Sequence, residues 1–248
     1  MPKLKLELVH KVNFLPTAVS MIFKSTDDFK YTAGQFLSLL VAEKTYRSYS
    51  LFYCDAKSPA FYTNNLPDLA QGEGRYIGLM INTKPMGVGS QKAIEMQVGE
   101  TIDAIGCNGQ FLVVNNDRPK TFVASSTGLA PFVPMVEQIL NINPDQKIQI
   151  FFGAFNPNDD FTYYFFQNTP QVELISCYDD MNGKDGTQEQ TATKQLGRVT
   201  DIIPKLVQDL PSSDFYICGN PFMVKATEDL LRSLGVETIY MEKFGVIK

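Results

Sequence analysis

Apolar and polar positions divide this chain into two rhythms. In residues 1–115, short β-prone runs alternate with polar or glycine breaks: Lys5 to Val12, Ala18 to Phe23, Phe36 to Val41, Arg47 to Cys54, Tyr76 to Asn82, Thr101 to Ile105 and Phe111 to Val114. Only Gly89 to Met96 reads as a helix there. Many short strands in so little chain predict an antiparallel β-barrel, which leaves no open sheet edge. Asn115-Asn116-Asp117-Arg118-Pro119 is a polar break with a proline, which sets domains at 1–115 and 116–248. Beyond it, apolar strands alternate with helices. Thr121 to Ser125, Lys147 to Phe152, Val172 to Cys177, Phe215 to Cys218 and Thr238 to Met241 are the strands; Pro131 to Leu140, Asp201 to Leu210 and Pro221 to Leu234 are the helices. Phe132, Met135, Val136 and Ile139 share one face of the first helix, and Gly235 closes the last. This pattern predicts an α/β domain with a parallel sheet covered on both faces. Lys184 to Lys194 is polar enough to be a mobile loop.

Composition narrows the function classes. The 248 residues are 44% hydrophobic and 20% charged, as expected of a globular chain. A net charge of −5 offers no basic field for nucleic acid. No apolar run reaches membrane-spanning length, and Met1-Pro2-Lys3-Leu4-Lys5 lacks a signal-peptide core. Cys54, Cys107, Cys177 and Cys218 lie far apart with no C-x-x-C, which implies reduced thiols in a cytoplasmic protein and no zinc or iron–sulfur module. His10 is the sole histidine and reads as a strand-surface residue, so no His-based metal site is expected. Asp159-Asp160 reads as a helix N-terminus rather than an acid–base pair, and Met80, Met86, Met96, Met135 and Met223 as core or gap fillers.

The candidate chemistry falls at strand ends. In a parallel sheet, ligands sit beyond the carboxyl ends of the strands. Ser125-Ser126-Thr127-Gly128, with Leu129, Ala130 and Pro131 after it, follows the first such strand. Cys218-Gly219-Asn220-Pro221 follows another, and Glu242-Lys243-Phe244 the last. Backbone N–H groups at these helix starts suit a pyrophosphate. Neither Gly-x-Gly-x-x-Gly nor a Walker A sequence is present. In the N-terminal half, Arg47 offers a planar charged fork, Tyr49 a ring, and Ser48 and Ser50 small polar groups, while Gly87-Val88-Gly89-Ser90 opens a helix.

In this order, with Ala33-Gly34-Gln35-Phe36 and Gly109-Gln110-Phe111, these motifs resemble the ferredoxin–NADP reductase superfamily over nearly the whole chain. The resemblance implies a flavoprotein, in which NADH or NADPH gives a hydride to flavin N5 and electrons leave singly to a separate ferredoxin or flavodoxin. FAD is favoured over FMN by the diphosphate-type grip. On this reading Arg47 contacts the flavin phosphate, Tyr49 packs on the ring system, and Ser50 bonds near N5. Gly87, Val88, Gly89 and Ser90 cradle the pyrophosphate, and Phe244 covers the second flavin face. Thr127, Gly128, Ala130, Pro131, Gly219, Asn220 and Pro221 bind the nicotinamide nucleotide, Cys218 lies near its C4, and Glu242 sits in the catalytic crevice. Asp179, in Cys177-Tyr178-Asp179-Asp180, stands where NADP-using relatives show a cation, and Phe155 where they often place an arginine. Both favour NADH, although Lys184 and Arg198 remain within reach of a phosphate. Two alternatives are a free-flavin reductase and an electron-transfer subunit of a larger complex.

Overall fold

The computed structural model describes residues 2–15, 17–55, 74–84, 86–182 and 192–243. The chain forms two compact units, residues 1–113 with 130–135, and residues 114–129 with 136–248.

The first unit is a closed antiparallel barrel. Its strands β1 (Lys3–Leu15), β2 (Ala18–Ser25), β3 (Phe36–Ala42), β4 (Thr45–Asp55), β5 (Arg75–Asn82) and β6 (Thr101–Asn108) run in the order β1-β2-β5-β4-β3-β6. Alternation sets which face is inside. Leu4, Leu6 and Leu8 of β1, Leu37, Leu39 and Val41 of β3, and Ile77, Leu79 and Ile81 of β5 all turn into one apolar core. Helix α1 (Val88–Glu95) covers it, and Ala93 and Met96 join that core.

The remaining elements are β7 (Lys120–Ser125), α2 (Phe132–Ile142), β8 (Ile148–Ala154), α3 (Tyr163–Phe166), β9 (Val172–Tyr178), β10 (Ala192–Leu196), α4 (Val199–Leu206), β11 (Asp214–Gly219), α5 (Pro221–Ser233) and β12 (Ile239–Lys243). The six strands pair in parallel in the order β10-β9-β8-β7-β11-β12. The order reverses beside β7, between β8 and β11. That is the switch point at which open α/β sheets receive ligands.

Two buried carboxylates pin this sheet. Asp214 and Lys120 face each other in the β7–β11 register and are 0% and 2% exposed. Asp214 accepts from Lys120 Nζ at 2.9 Å, Arg118 Nε at 2.7 Å and Asn116 Nδ2 at 3.0 Å. Burial raises the Asp214 pKa; hydrogen bonds from Lys120, Asn116 and Arg118, with the Lys120 charge, outweigh it, so the net shift is downward. Asp160, also buried, accepts from Thr162 N and Oγ1 on one oxygen, and from Ser176 Oγ (2.5 Å) and Tyr178 OH (2.7 Å) on the other.

Several expectations need correction. Phe111 to Val114 forms no strand; the Val114 N–H donates to Tyr216 OH at 2.9 Å instead of to a ladder. The C-terminal sheet has six strands, not five. β10 begins inside the stretch expected to be a loop, because an edge strand with exposed Thr193 and Lys194 carries no apolar signal. Residues 184–191 of that stretch lie outside the described residues. Asp159 lies in a single 3₁₀ turn, Pro157–Asp159, and Asp160 caps its far end. Met86 is 61% exposed rather than a filler. His10 is half-buried at a β1 bulge, where burial lowers its pKa. Among the described residues no helix is long and apolar enough to cross a membrane.

Candidate functional site

In the barrel, the two N-terminal motifs meet. Arg47 and Tyr49 lie on the core-facing side of β4, opposite Leu39 and Leu37 of β3. Tyr49 packs against the barrel core, and Arg47 runs out to solvent, with Nη1 donating to Tyr46 O at 2.8 Å. Both reach the start of α1. A Cβ at Gly89 would lie 2.1 Å from the Tyr49 hydroxyl and 3.3 Å from Arg47 Cγ, so the helix approaches this closely only because residue 89 has no side chain. Burial raises the Tyr49 pKa, opposed by the Arg47 charge, so the phenol stays protonated at neutral pH.

The two ends of α1 are treated differently. Lys11 Nζ donates to the carbonyls of Ile94 (2.5 Å) and Met96 (2.9 Å), satisfying the C-terminal end. At the N-terminal end Gly87 provides no side-chain cap, and the first turn holds no acidic residue. Backbone N–H groups and the positive end of the helix dipole are therefore open to an anion, with Arg47 alongside. The donor set, backbone N–H groups with a guanidinium beside them, fits a flavin phosphate. Ser90 departs from its expected part: its hydroxyl donates to Asn82 O at 3.0 Å and ties the helix to β5. Ser48 is exposed, its Oγ 2.9 Å from that of Ser38, and Ser50 is buried opposite Phe36.

In the parallel-sheet unit, the carboxyl ends of β7 and β11 are drawn together at the switch point. Gly219 has φ +139°, and a Cβ there would lie 2.5 Å from Ser125 Oγ, which accepts from Asn220 N at 3.1 Å. A Cβ on Gly128 would lie 2.3 Å from Cys218 O. These glycines thus act as close-packing residues. The Asn220 side chain accepts from Phe222 N at 2.8 Å and starts α5, with Pro221 in the first turn. Cys218 is fully buried opposite Glu242 on β12. Burial first, then the Glu242 charge, push its thiol well above the ordinary range, so it is a neutral group rather than a thiolate nucleophile.

Beside these ends opens a cleft of about 560 Å³, within the range of small-molecule sites. Of the nucleotide residues expected from sequence, Asp179 and Asn220 line it, whereas Thr127, Gly128, Ala130, Pro131, Cys218 and Gly219 are buried. Ser125 and Phe155, both marked in the sequence, are in the lining; sequence reasoning missed Phe222 and read Met223, also in the lining, as a filler. Phe155 and Phe222 are 61% and 76% exposed, large aromatics left in water beside the cleft. Asp179 pairs with Arg198 Nε at 3.3 Å, whereas Asp180 turns its Oδ1 to Asn182 N and Nδ2. Cys177, also in the lining, is pushed up to about 12 by burial and by the charges of Asp160 and Asp201. Phe244, Lys184 and the C-terminal Gly245-Val246-Ile247-Lys248 lie outside the described residues.

Comparison with known proteins agrees with the two-unit architecture. Residues 122–229 match the family model of the oxidoreductase NAD-binding domain. The chain is 27% identical over 176 residues to the toluate 1,2-dioxygenase electron transfer component of Pseudomonas putida, covering 68% of this chain and 50% of that protein. It is 25% identical over 229 residues to the CDP-6-deoxy-L-threo-D-glycero-4-hexulose-3-dehydrase reductase of Yersinia pseudotuberculosis, covering 91% of this chain and 62% of that protein. The chain therefore spans about half to three fifths of these relatives. Among solved structures, the Amycolatopsis cytochrome P450 reductase GcoB superposes with a TM-score of 0.80 at 18% identity, over 98% of this chain and 70% of that one. The barrel-plus-parallel-sheet fold that the resemblance implies is borne out.

Proposed function

We propose that this chain is a flavin-dependent NAD(P)H oxidoreductase of the cytoplasm, with residues 1–115 holding FAD and residues 116–248 the nicotinamide nucleotide. Its partner is a separate one-electron carrier of the ferredoxin or flavodoxin type. The observation that carries this reading is the meeting of Arg47, Tyr49 and Gly89 at the uncapped start of α1. When bound, the flavin takes up the electron pair of a hydride and releases electrons one at a time.

The chain's own residues bind, orient and exclude. Arg47 and the first-turn N–H groups of α1, from Val88 to Ser90, hold the flavin phosphates; Tyr49 and Ser50 set the position of the ring system. In the second unit Gly128 and Gly219 let the ends of β7 and β11 close, so that Asn220 and the residues about it present the nucleotide. Cys218 is a compact uncharged wall beside Glu242, suited to a transfer that depends on close approach and needs no covalent intermediate. Asp179 favours ribose hydroxyls over a 2′-phosphate, so NADH is the preferred donor. The oxidoreductase NAD-binding match over 122–229 supports the nucleotide half of the reading.

The test is the visible spectrum of the purified protein, before and after anaerobic NADH and then NADPH. A flavin band that bleaches faster with NADH is expected. A protein that carries no flavin and takes up neither FAD nor FMN overturns the reading.

A further inference from the structure

We propose that Phe155 and Phe222 form the two walls of a slot that holds the adenine base of the nucleotide by its faces, without reading its edge. The proposal rests on the reading of this cleft as the nucleotide site and adds a base subsite to it. Both rings line the cleft, and both are largely exposed. A single exposed phenylalanine is ordinary, but two on the walls of one cleft mark a binding surface. Among the described residues neither ring packs on another aromatic ring. Their backbones are fixed from separate strands. Phe155 follows β8, and its carbonyl accepts from Asp180 N at 2.8 Å. Phe222 lies in the first turn of α5, after β11, and its N–H donates to Asn220 Oδ1 at 2.8 Å. Each ring has only two side-chain torsions left to settle, so little freedom is lost on binding.

Spacing sets what fits between them. β8 and β11 flank β7, so their ends stand two strand spacings apart, about 10 Å. A flat ring in contact on both faces needs about 7 Å between the ring planes, two contacts of about 3.5 Å each. The span accommodates a single base. That base is adenine rather than nicotinamide. Cys218, read as the nicotinamide contact, is fully buried and outside the lining, whereas Asp179, read as the ribose contact, is in it. Of the polar side chains in the lining, Ser125, Asn220, Asp179 and Arg198 already have partners. Ser125 Oγ accepts from Asn220 N, Asn220 Oδ1 from Phe222 N, and Asp179 pairs with Arg198. Stacking on the faces is indifferent to the donors and acceptors a base carries.

Calorimetry on the full chain with 5′-AMP and 5′-IMP tests this. Hypoxanthine keeps the ring faces of adenine and changes its edge, so the two nucleotides are expected to bind within about threefold of each other. Phe155→Ala and Phe222→Ala should each weaken both by about 5- to 100-fold, the range for losing one stacked aromatic, whereas Phe222→Tyr, which keeps the ring, should not. Binding to wild type should also lower the ultraviolet absorbance of the base, the signature of stacking, and the double alanine variant should lose that change. Alanine variants that bind as wild type does, or a preference of more than about tenfold between the two nucleotides, the mark of a site that reads the edge, overturn the slot and leave the nucleotide site standing. Wild type that takes up neither of these nor NADH overturns the nucleotide reading, and the slot with it.

Discussion

The barrel and the parallel sheet keep their strands in register by different means. In the barrel, β1, β3 and β6 alternate between buried and more exposed residues, so a slip of one residue would turn Leu37, Leu39 and Val41 out of the core; in these strands the pattern defines the pairing. In the sheet, β7 and β11 are buried along nearly their whole length on both faces, so a slip exchanges one apolar residue for another. Something else must mark position, and the buried charges do so. Among the described residues the buried charged side chains are Lys120, Asp160 and Asp214, all in the second unit. Lys120 and Asp214 are direct register partners, and Asp160 holds Ser176 and Tyr178, alternate residues on one face of β9. The cost of removing two charges from water is accepted where the hydrophobic pattern carries no register information.

The sharpest way to break this contrast is to remove one charge. Asp214→Leu leaves Lys120 buried without its carboxylate and should destabilise the second unit by about 3–5 kcal/mol, read as faster amide exchange in β7 and β11 while β1 to β6 keep their protection. The double variant Asp214→Leu/Lys120→Met should recover much of that loss, because it removes the unpaired charge; a double variant as unstable as the single would refute the register-pin account. Acid probes the same pin. The folded pKa of Asp214 lies below its ordinary value, so its contribution is complete above about pH 4 and is lost as the pH falls through the depressed folded value. Amide exchange followed from pH 5 downward should show the sheet opening before the barrel.

A smaller effect is expected where the two switch-point strands touch. In Gly128→Ala the new methyl meets the backbone carbonyl of Cys218 at 2.3 Å, and backbone gives way less readily than a side chain. A loss of about 1–3 kcal/mol is expected, with weakened nucleotide binding because the ends of β7 and β11 are forced apart. Thermal denaturation with and without NADH separates the two effects. Wild-type stability together with wild-type nucleotide affinity would show that the close approach is not needed.

These differences also explain what was legible in the sequence. β-prone runs between polar or glycine breaks revealed every barrel strand, and apolar runs revealed β7, β8, β9 and β11, whose burial fixes composition, together with the half-buried edge strand β12. β10 escaped, since an exposed edge strand is written in polar residues. Phe111 to Val114 misled, since its apolar residues pack without joining a ladder. The motifs Arg47 to Ser50 and Gly87 to Ser90 were readable as pieces, but their contact was not. Nor was the use of Ser90 to hold Asn82, which depends on where a hydroxyl points. The pins at Asp160 and Asp214 were invisible for a related reason: an aspartate in sequence reads as surface until a fold places its donors around it.

The smallest effect on folding should accompany the largest consequence for the proposed flavin site. In Gly89→Ala the methyl meets the Tyr49 hydroxyl at 2.1 Å, the far end of a side chain that can swing, and Arg47 Cγ at 3.3 Å. The barrel should lose only about 1 kcal/mol, since its core residues stay where they are. Yet both side chains read as flavin contacts are then displaced from the start of α1. Flavin affinity should fall by about tenfold or more, measured as release of fluorescent flavin on dilution. If Gly89→Ala keeps its flavin as well as wild type does, the α1 N-terminus is not the phosphate site. If it releases the flavin while the barrel stays folded, the barrel holds its ligand through the close approach of α1 to β4, whereas the sheet uses buried charge to keep its strands in register.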